Sequence, residues 1–155
     1  MKKGLYSIVI CAIFIVFTGC GDKDLQTKCS ITSDNVISGY KLEATYNIYG
    51  SNGVVNKVKT KEVYTSDDAS IITYFEDQLK SSFEAMDLAY GGYKYDITKT
   101  ANSITSDVTI DYTKMDMTKL LKDQSVMKKY TNKNNKITIE GIKELYQSMG
   151  ATCEK

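Results

Sequence analysis

Between Tyr40 and Tyr64 the chain alternates apolar and polar side chains on both sides of one break, and that pattern leaves little freedom in the local fold. Tyr40, Leu42, Ala44, Tyr46 and Ile48 share one parity, while Lys41, Glu43, Thr45 and Asn47 share the other. A period of two puts the first set on one face of a strand and the second on the opposite face. Gly50-Ser51-Asn52-Gly53 then supplies residues that tolerate positive φ, as a tight hairpin needs. The return strand, Val54 to Tyr64, carries Lys57, Lys59 and Lys61 in a row. Beside Glu43 and Glu62 this row reads as a solvated outer face, where lysines discourage edge-to-edge pairing. A patch for anionic lipid or an acidic polymer is its other reading.

Upstream, Lys28 to Thr32 reads as a short extended piece leading into a turn at Ser33-Asp34-Asn35. Downstream, Ser66 suits an N-cap, with Asp67 and Asp68 at the positive end of a helix dipole. Ile72, Phe75, Leu79, Phe83, Met86 and Tyr90 then step by three and four residues into one apolar stripe, which Gly91-Gly92 ends. The stripe is expected to pack on the sheet, with a ligand groove as the alternative. Two further strands follow, Tyr93 to Thr98 and Ile104 to Tyr112, turning at Ala101-Asn102. A short amphipathic helix fits Asp116 to Lys122. Thr138 caps a last helix striped by Ile139, Ile142, Leu145, Tyr146 and Met149, with Gly150 as its stop. The expected class is α+β: an antiparallel sheet of four to five strands, in β-β-α-β-β-α order, with helices packed on one face.

The N-terminus has a different logic. Lys2 and Lys3 precede a hydrophobic run from Leu5 to Phe17, 13 residues long, which suits a signal-peptide core and is short of a bilayer span. Phe17-Thr18-Gly19-Cys20 follows, and then polar Gly21-Asp22-Lys23-Asp24. This resembles the lipobox of bacterial lipoproteins, with Phe17 in place of the usual leucine. The resemblance implies cleavage between Gly19 and Cys20 and a diacylglyceryl group on the Cys20 thiol. Residues 1–19 are thus expected as a lipoprotein signal peptide, 20–27 as the lipidated cysteine and a short tether, and 28–155 as one domain. The expected location is the extracytoplasmic face of a cell membrane.

Cleavage would take 19 of the 155 residues and leave 136, enough for one domain with a core. All 20 basic residues are lysine, and the chain has no histidine, tryptophan or proline. Without histidine there is no imidazole ligand, no Ser-His-Asp triad and no Cys-His pair. Without arginine there is no bidentate clamp for phosphate. Near-neutral charge argues against a nucleic-acid partner. Cys11 lies in the signal and Cys20 takes the lipid, which leaves Cys29 and Cys153. Outside the cytoplasm that pair suggests a disulfide across the domain; a two-thiolate metal site or a redox role are the alternatives, each weakened by the lack of a CxxC or tighter spacing.

Other chemistry is sparse. Asn132-Lys133-Asn134-Asn135-Lys136 is a poor calcium loop, because lysines stand where ligands are needed, and reads as a surface loop. Asp107 and Asp111 are too far apart on a strand to share a proton. Tyrosine is frequent, 12 in the chain, with Tyr40, Tyr46, Tyr93, Tyr95 and Tyr112 expected on the inner sheet face. They suit core-edge packing or a cleft for a sugar or peptide.

Tyr40-Lys-Leu-Glu-Ala-Thr-Tyr46-Asn-Ile-Tyr-Gly50, Val58-Lys-Thr-Lys-Glu-Val63, Val108-Thr-Ile-Asp-Tyr-Thr-Lys-Met-Asp-Met117 and the close Ile139-Glu-Gly-Ile-Lys-Glu-Leu145 to Gly150-Ala-Thr-Cys153, with the lipobox, resemble the YehR-like bacterial lipoprotein family. The resemblance spans nearly all of the chain after residue 19 and implies a small α+β lipoprotein domain, with no catalytic residue to carry over. The expected function is a non-enzymatic module of the cell envelope, held to the membrane through Cys20, that binds a small ligand or an envelope protein without cofactor or metal. The alternatives are an envelope enzyme using Asp, Glu, Lys or Tyr chemistry, and a purely structural envelope protein.

Overall fold

The structure is a computed structural model that describes residues 24–35 and 39–154. Gly19, Cys20, the signal segment and the first part of the tether lie outside the described residues. The described chain forms β1 (Leu25–Asn35), β2 (Tyr40–Ser51), β3 (Val54–Thr65), α1 (Ala69–Tyr90), β4 (Tyr93–Lys99), β5 (Ser103–Asp111), α2 (Met117–Asp123), a 3-10 turn (Ser125–Tyr130), α3 (Ile139–Ser148) and β6 (Thr152–Cys153). The six strands make one antiparallel sheet in the order β4-β5-β3-β2-β1-β6.

The central hairpin forms where the alternation puts it. Asn52 and Gly53 both take positive φ, 52° and 74°, which joins two right-twisted strands without splaying them. The inward parity of β2 is buried at Ala44, Tyr46 and Ile48, and β3 answers with Val58 at 0% exposure. Both long helices cover this face. On α1, Phe75 stacks on Tyr64 and meets Tyr40 edge-on, and Phe83 sits against Tyr95. On α3, Ile142 and Tyr146 join Cys29, Tyr46, Ile48 and Val58 in the main core. Burying such side chains contributes about 1.5–3 kcal/mol each before chain entropy is subtracted.

The architecture differs from the expectation in several places. The sheet has six strands, because Thr152–Cys153 pairs with Cys29 and Ser30 after the last helix has ended. Two residues carry too little periodicity to announce a strand; the β1 edge recruits them. β1 is longer than the expected extended piece. It opens at Leu25, inside the expected tether, and Ser33-Asp34-Asn35 are paired with β2, not turning. The long helix begins later than expected, because Asp68 and not Ser66 caps it, accepting from the Ser70 amide at 2.8 Å. Ser66 is buried and donates its hydroxyl to the Gly39 carbonyl at 2.7 Å, tying the helix entry to the loop before β2. The polar segment after α2 holds the 3-10 turn, which rests on α3 where Gly141 meets Tyr130; a methyl on Gly141 would stand 2.4 Å from the Tyr130 carbonyl oxygen.

The sheet has two poles. At one, β1 enters beside the β2–β3 turn, with the Gly50 amide donating to the Asp24 carbonyl at 2.8 Å. The same pole carries the loop after β5 and a turn at residues 131–137, closed by the Thr131–Ile137 bridge and by Val55 donating to the Ile137 carbonyl. The other pole holds the end of β1, the start of β2 and the N-terminus of α1. Among the described residues, every buried member of the main core falls between Cys29 and Ala151.

Candidate functional site

A sheet covered by two separate helices has a seam, and the most unusual chemistry of the chain lies there. Counting from Val58 by twos reaches Thr60 and then Glu62, so Glu62 falls on the covered face. The sequence reading put it beside Glu43 on the solvated face; parity overturns that. Tyr64 donates to its carboxyl at 3.2 Å and Tyr46 at 3.5 Å. Tyr64 belongs to the α1 half of the face and Tyr46 to the α3 half, so one carboxyl joins the two. Ser106, the ladder partner of Glu62 on β5, is fully buried. Its hydroxyl helps to hold the charge without a hydrogen bond of standard geometry among the described residues.

Burial raises the Glu62 pKa, against the lowering effect of the hydrogen bonds from Tyr64 and Tyr46 and of the nearby Ser106 hydroxyl. Desolvation wins because hydroxyl donors offset only part of the lost hydration of a carboxylate. The same burial, with the Glu62 charge second, pushes the Tyr46 and Tyr64 phenols up. These tyrosines are therefore neutral donors.

Beyond Glu62 the seam widens into a groove. The stripe of α1 is only half-buried at Leu79, Phe83 and Met86, so it does not close on the sheet as a core helix would. A groove of about 290 Å³ lies between Met86 of α1, Val126 and Met127 of the 3-10 turn, and Leu145 and Tyr146 of α3, over a floor of Tyr93, Ile110 and Tyr112. Its size is close to the lower end of small-ligand sites, roughly 300 Å³. Tyr93 is pushed up to about 12 by burial, then by Tyr90. Tyr146 connects the groove to the carboxyl, since it stacks on Tyr46. The groove offers methionine, aliphatic and aromatic surface, with Gln124 and the tyrosine hydroxyls as its polar members.

The sequence-derived tyrosines are distributed unevenly. Tyr93 and Tyr112 line the groove, Tyr46 backs it, and Tyr40 and Tyr95 pack against α1 instead. Cys29 and Cys153 are directly paired across β1 and β6, so the fold accommodates a disulfide between them. Lys57 and Lys59 lie on the open face over the Tyr49 ring. Asn132 to Lys136 is a surface turn in which the Asn132 side chain accepts from the Asn134 and Lys136 amides. Among the described residues, no cluster of His, Cys, Asp or Glu is built to hold a metal ion, and no helix is long and apolar enough to cross a membrane.

No family model and no curated protein sequence matches the chain. Among solved structures it is similar to the NMR structure of the E. coli YehR protein, with a TM-score of 0.54 and 21% identity, covering 87% of this chain and 94% of that one. An NMR structure of a protein from Streptococcus pneumoniae TIGR4 is 16% identical, covers 99% of this chain and 96% of that one, and has a TM-score of 0.47. The likeness to YehR is one of fold.

Proposed function

We propose that this chain is a lipid-anchored protein of the cell envelope, of the YehR-like lipoprotein kind, whose exported domain binds a small, largely apolar ligand in the groove between α1 and α3. The observation that carries the binding half is the groove itself, an opening between α3, the 3-10 turn and Met86 at the end of the α1 stripe, where close packing would bury more apolar surface. The anchoring half rests on Lys2, Lys3, the apolar run to Phe17 and the cleavable Gly19-Cys20 junction. Two acyl chains on Cys20 would hold the domain stably at a membrane.

Each half has its own test. Intact mass spectrometry of the membrane-extracted protein is expected to find residues 1–19 gone and Cys20 carrying lipid; a chain that retains Met1 and has no lipid overturns the anchor. For the groove, titration with Nile red is expected to show saturable binding that Leu145→Glu weakens at least about tenfold, by placing a charge in an apolar wall. Leu88→Glu is the control, because Leu88 is 90% exposed on the outer side of α1. Equal binding by both variants removes the groove as the site.

Glu62 favours a second reading, an envelope enzyme. A carboxyl that holds its proton more tightly than usual beside two hydroxyls suits proton transfer. Turnover of an envelope glycan or peptide that Glu62→Gln abolishes, in a variant that still folds, would establish it.

A further inference from the structure

We propose that the pole where β1 enters the domain is a docking surface for the anionic phospholipid headgroups of the membrane that carries it. The orientation rests on the lipid-anchored reading; the charge distribution stands without it. From Cys20 to Leu25 is five residues, a reach of at most about 18 Å, so an acyl group on Cys20 would hold this pole against the bilayer.

The chemistry of that pole suits such a neighbour. From Tyr112 to Glu140 the chain carries seven lysines against three acids, Asp116, Asp123 and Glu140, and one of the lysines, Lys129, pairs with Glu144 of α3 at 3.6 Å. Asp116 is engaged as the cap of α2, accepting from the Lys119 amide at 2.9 Å. Lys133 and Lys136 are exposed at the turn that packs against Val54 and Val55, next to the entry of β1. On the open side of the sheet, Lys57, Lys94 and Lys114 surround a shallow pocket of about 310 Å³. Asp111 on its wall is paired with Lys114 at 3.3 Å and takes the Thr113 amide, so the pocket keeps a positive balance.

The opposite pole has the reverse sign. Asp34 and Asp67 lie around Lys41, which pairs with Glu43; Asp68 caps α1 beside them, and Lys99 is held by Glu76. The chain is therefore electrically polar along its strands. A negatively charged bilayer attracts the basic pole and repels the acidic one, within about a Debye length of 8–10 Å. The field and the tether impose the same orientation. The lysine surface assigned here is this pole; it is not the whole outer row, since Lys61 stands opposite Asp107 in mid-sheet.

The test uses the chain from Gly21 onward, which contains β1 and the whole core, and so measures headgroup contact with no acyl group present. It is mixed with vesicles of phosphatidylglycerol or of phosphatidylcholine and sedimented. Binding to the anionic vesicles alone, released by salt, is expected. Reversal of Lys114, Lys133 and Lys136 to Glu together should weaken it at least about tenfold, whereas reversing Lys41, Lys80 and Lys99 should change it little. Circular dichroism confirms that both variants fold. Binding to neither lipid, equal binding to both, equal loss in the two variants, or displacement by inorganic phosphate as readily as by vesicles would each overturn the proposal. Failure of the anchor appears separately, as missing lipid on Cys20 in extracted protein, and leaves the vesicle result standing.

Discussion

Tyr46 of β2 and Tyr146 of α3 stack face to face, with ring centroids 4.1 Å apart and planes 17° from parallel. Their contact fastens α3 to the sheet, forms one end of the groove and places the Tyr46 hydroxyl against Glu62. Both rings are nearly fully buried, at 3% and 6% exposure. Tyr146→Ala should therefore destabilise the domain by about 3–5 kcal/mol, as large-to-small aromatic replacements in a core do. Denaturant unfolding measures it; a loss below about 1 kcal/mol would mean that α3 is not docked through this ring.

Glu62 predicts an unusual pH dependence. Burial raises its folded-state pKa above the ordinary 4.5, so the folded chain binds this proton more tightly than the unfolded chain does. The stability gained is complete below the unfolded pKa and is lost as pH rises through the folded one. Glu62→Gln is neutral at every pH and escapes that loss. The variant should be more stable than the parent at about pH 7, and the gap should close toward about pH 4. Thermal unfolding at both values is the measurement, and a gap independent of pH would contradict a carboxyl desolvated by the fold.

The Cys29–Cys153 pair joins the two ends of the folded unit over a separation of 124 residues. With the bond formed, the oxidised protein is lighter than the reduced one by the hydrogens of two thiols. Cys153→Ser should cost about 2–5 kcal/mol, chiefly by freeing the unfolded chain, a mechanism that depends on the entropy model. Denaturant midpoints with and without reductant test this: the parent should respond and the variant should not.

Gly141 permits the closest approach in the helical layer. A methyl there would lie 2.4 Å from the Tyr130 carbonyl oxygen and 2.7 Å from the Thr138 hydroxyl that caps α3. Ala is the better helix former, yet Gly141→Ala should destabilise by about 1–3 kcal/mol through overpacking. A stabilised variant would show that the 3-10 turn does not press on α3.

What could be read from the chain depended on how local the physics was. The alternation from Tyr40 to Tyr64, the Asn52-Gly53 turn and the Asp116 and Thr138 helix starts all act over a few residues, and the structure has them where the pattern puts them. The pattern put the α1 cap at Ser66, two residues early, because Ser66 caps well on its own; the bond from its buried hydroxyl to Gly39 takes it out of that role and Asp68 caps instead. The candidate site was less legible. The stripe on α1 was visible, but a stripe has the same period whether it is buried or lines an open groove. Glu62 was legible in principle, since its parity from Val58 gives its face, but its charge suggested solvent.

The sequence by itself determined the class and the central hairpin, because side-chain period and turn residues are written in neighbouring positions. Only the tertiary structure decided that Thr152–Cys153 becomes a sixth strand, that the seam between α1 and α3 stays open, and that Glu62 is half-buried beside Tyr46 and Tyr64. Those outcomes depend on groups that meet across long stretches of chain, where packing and desolvation act and no local pattern reports them.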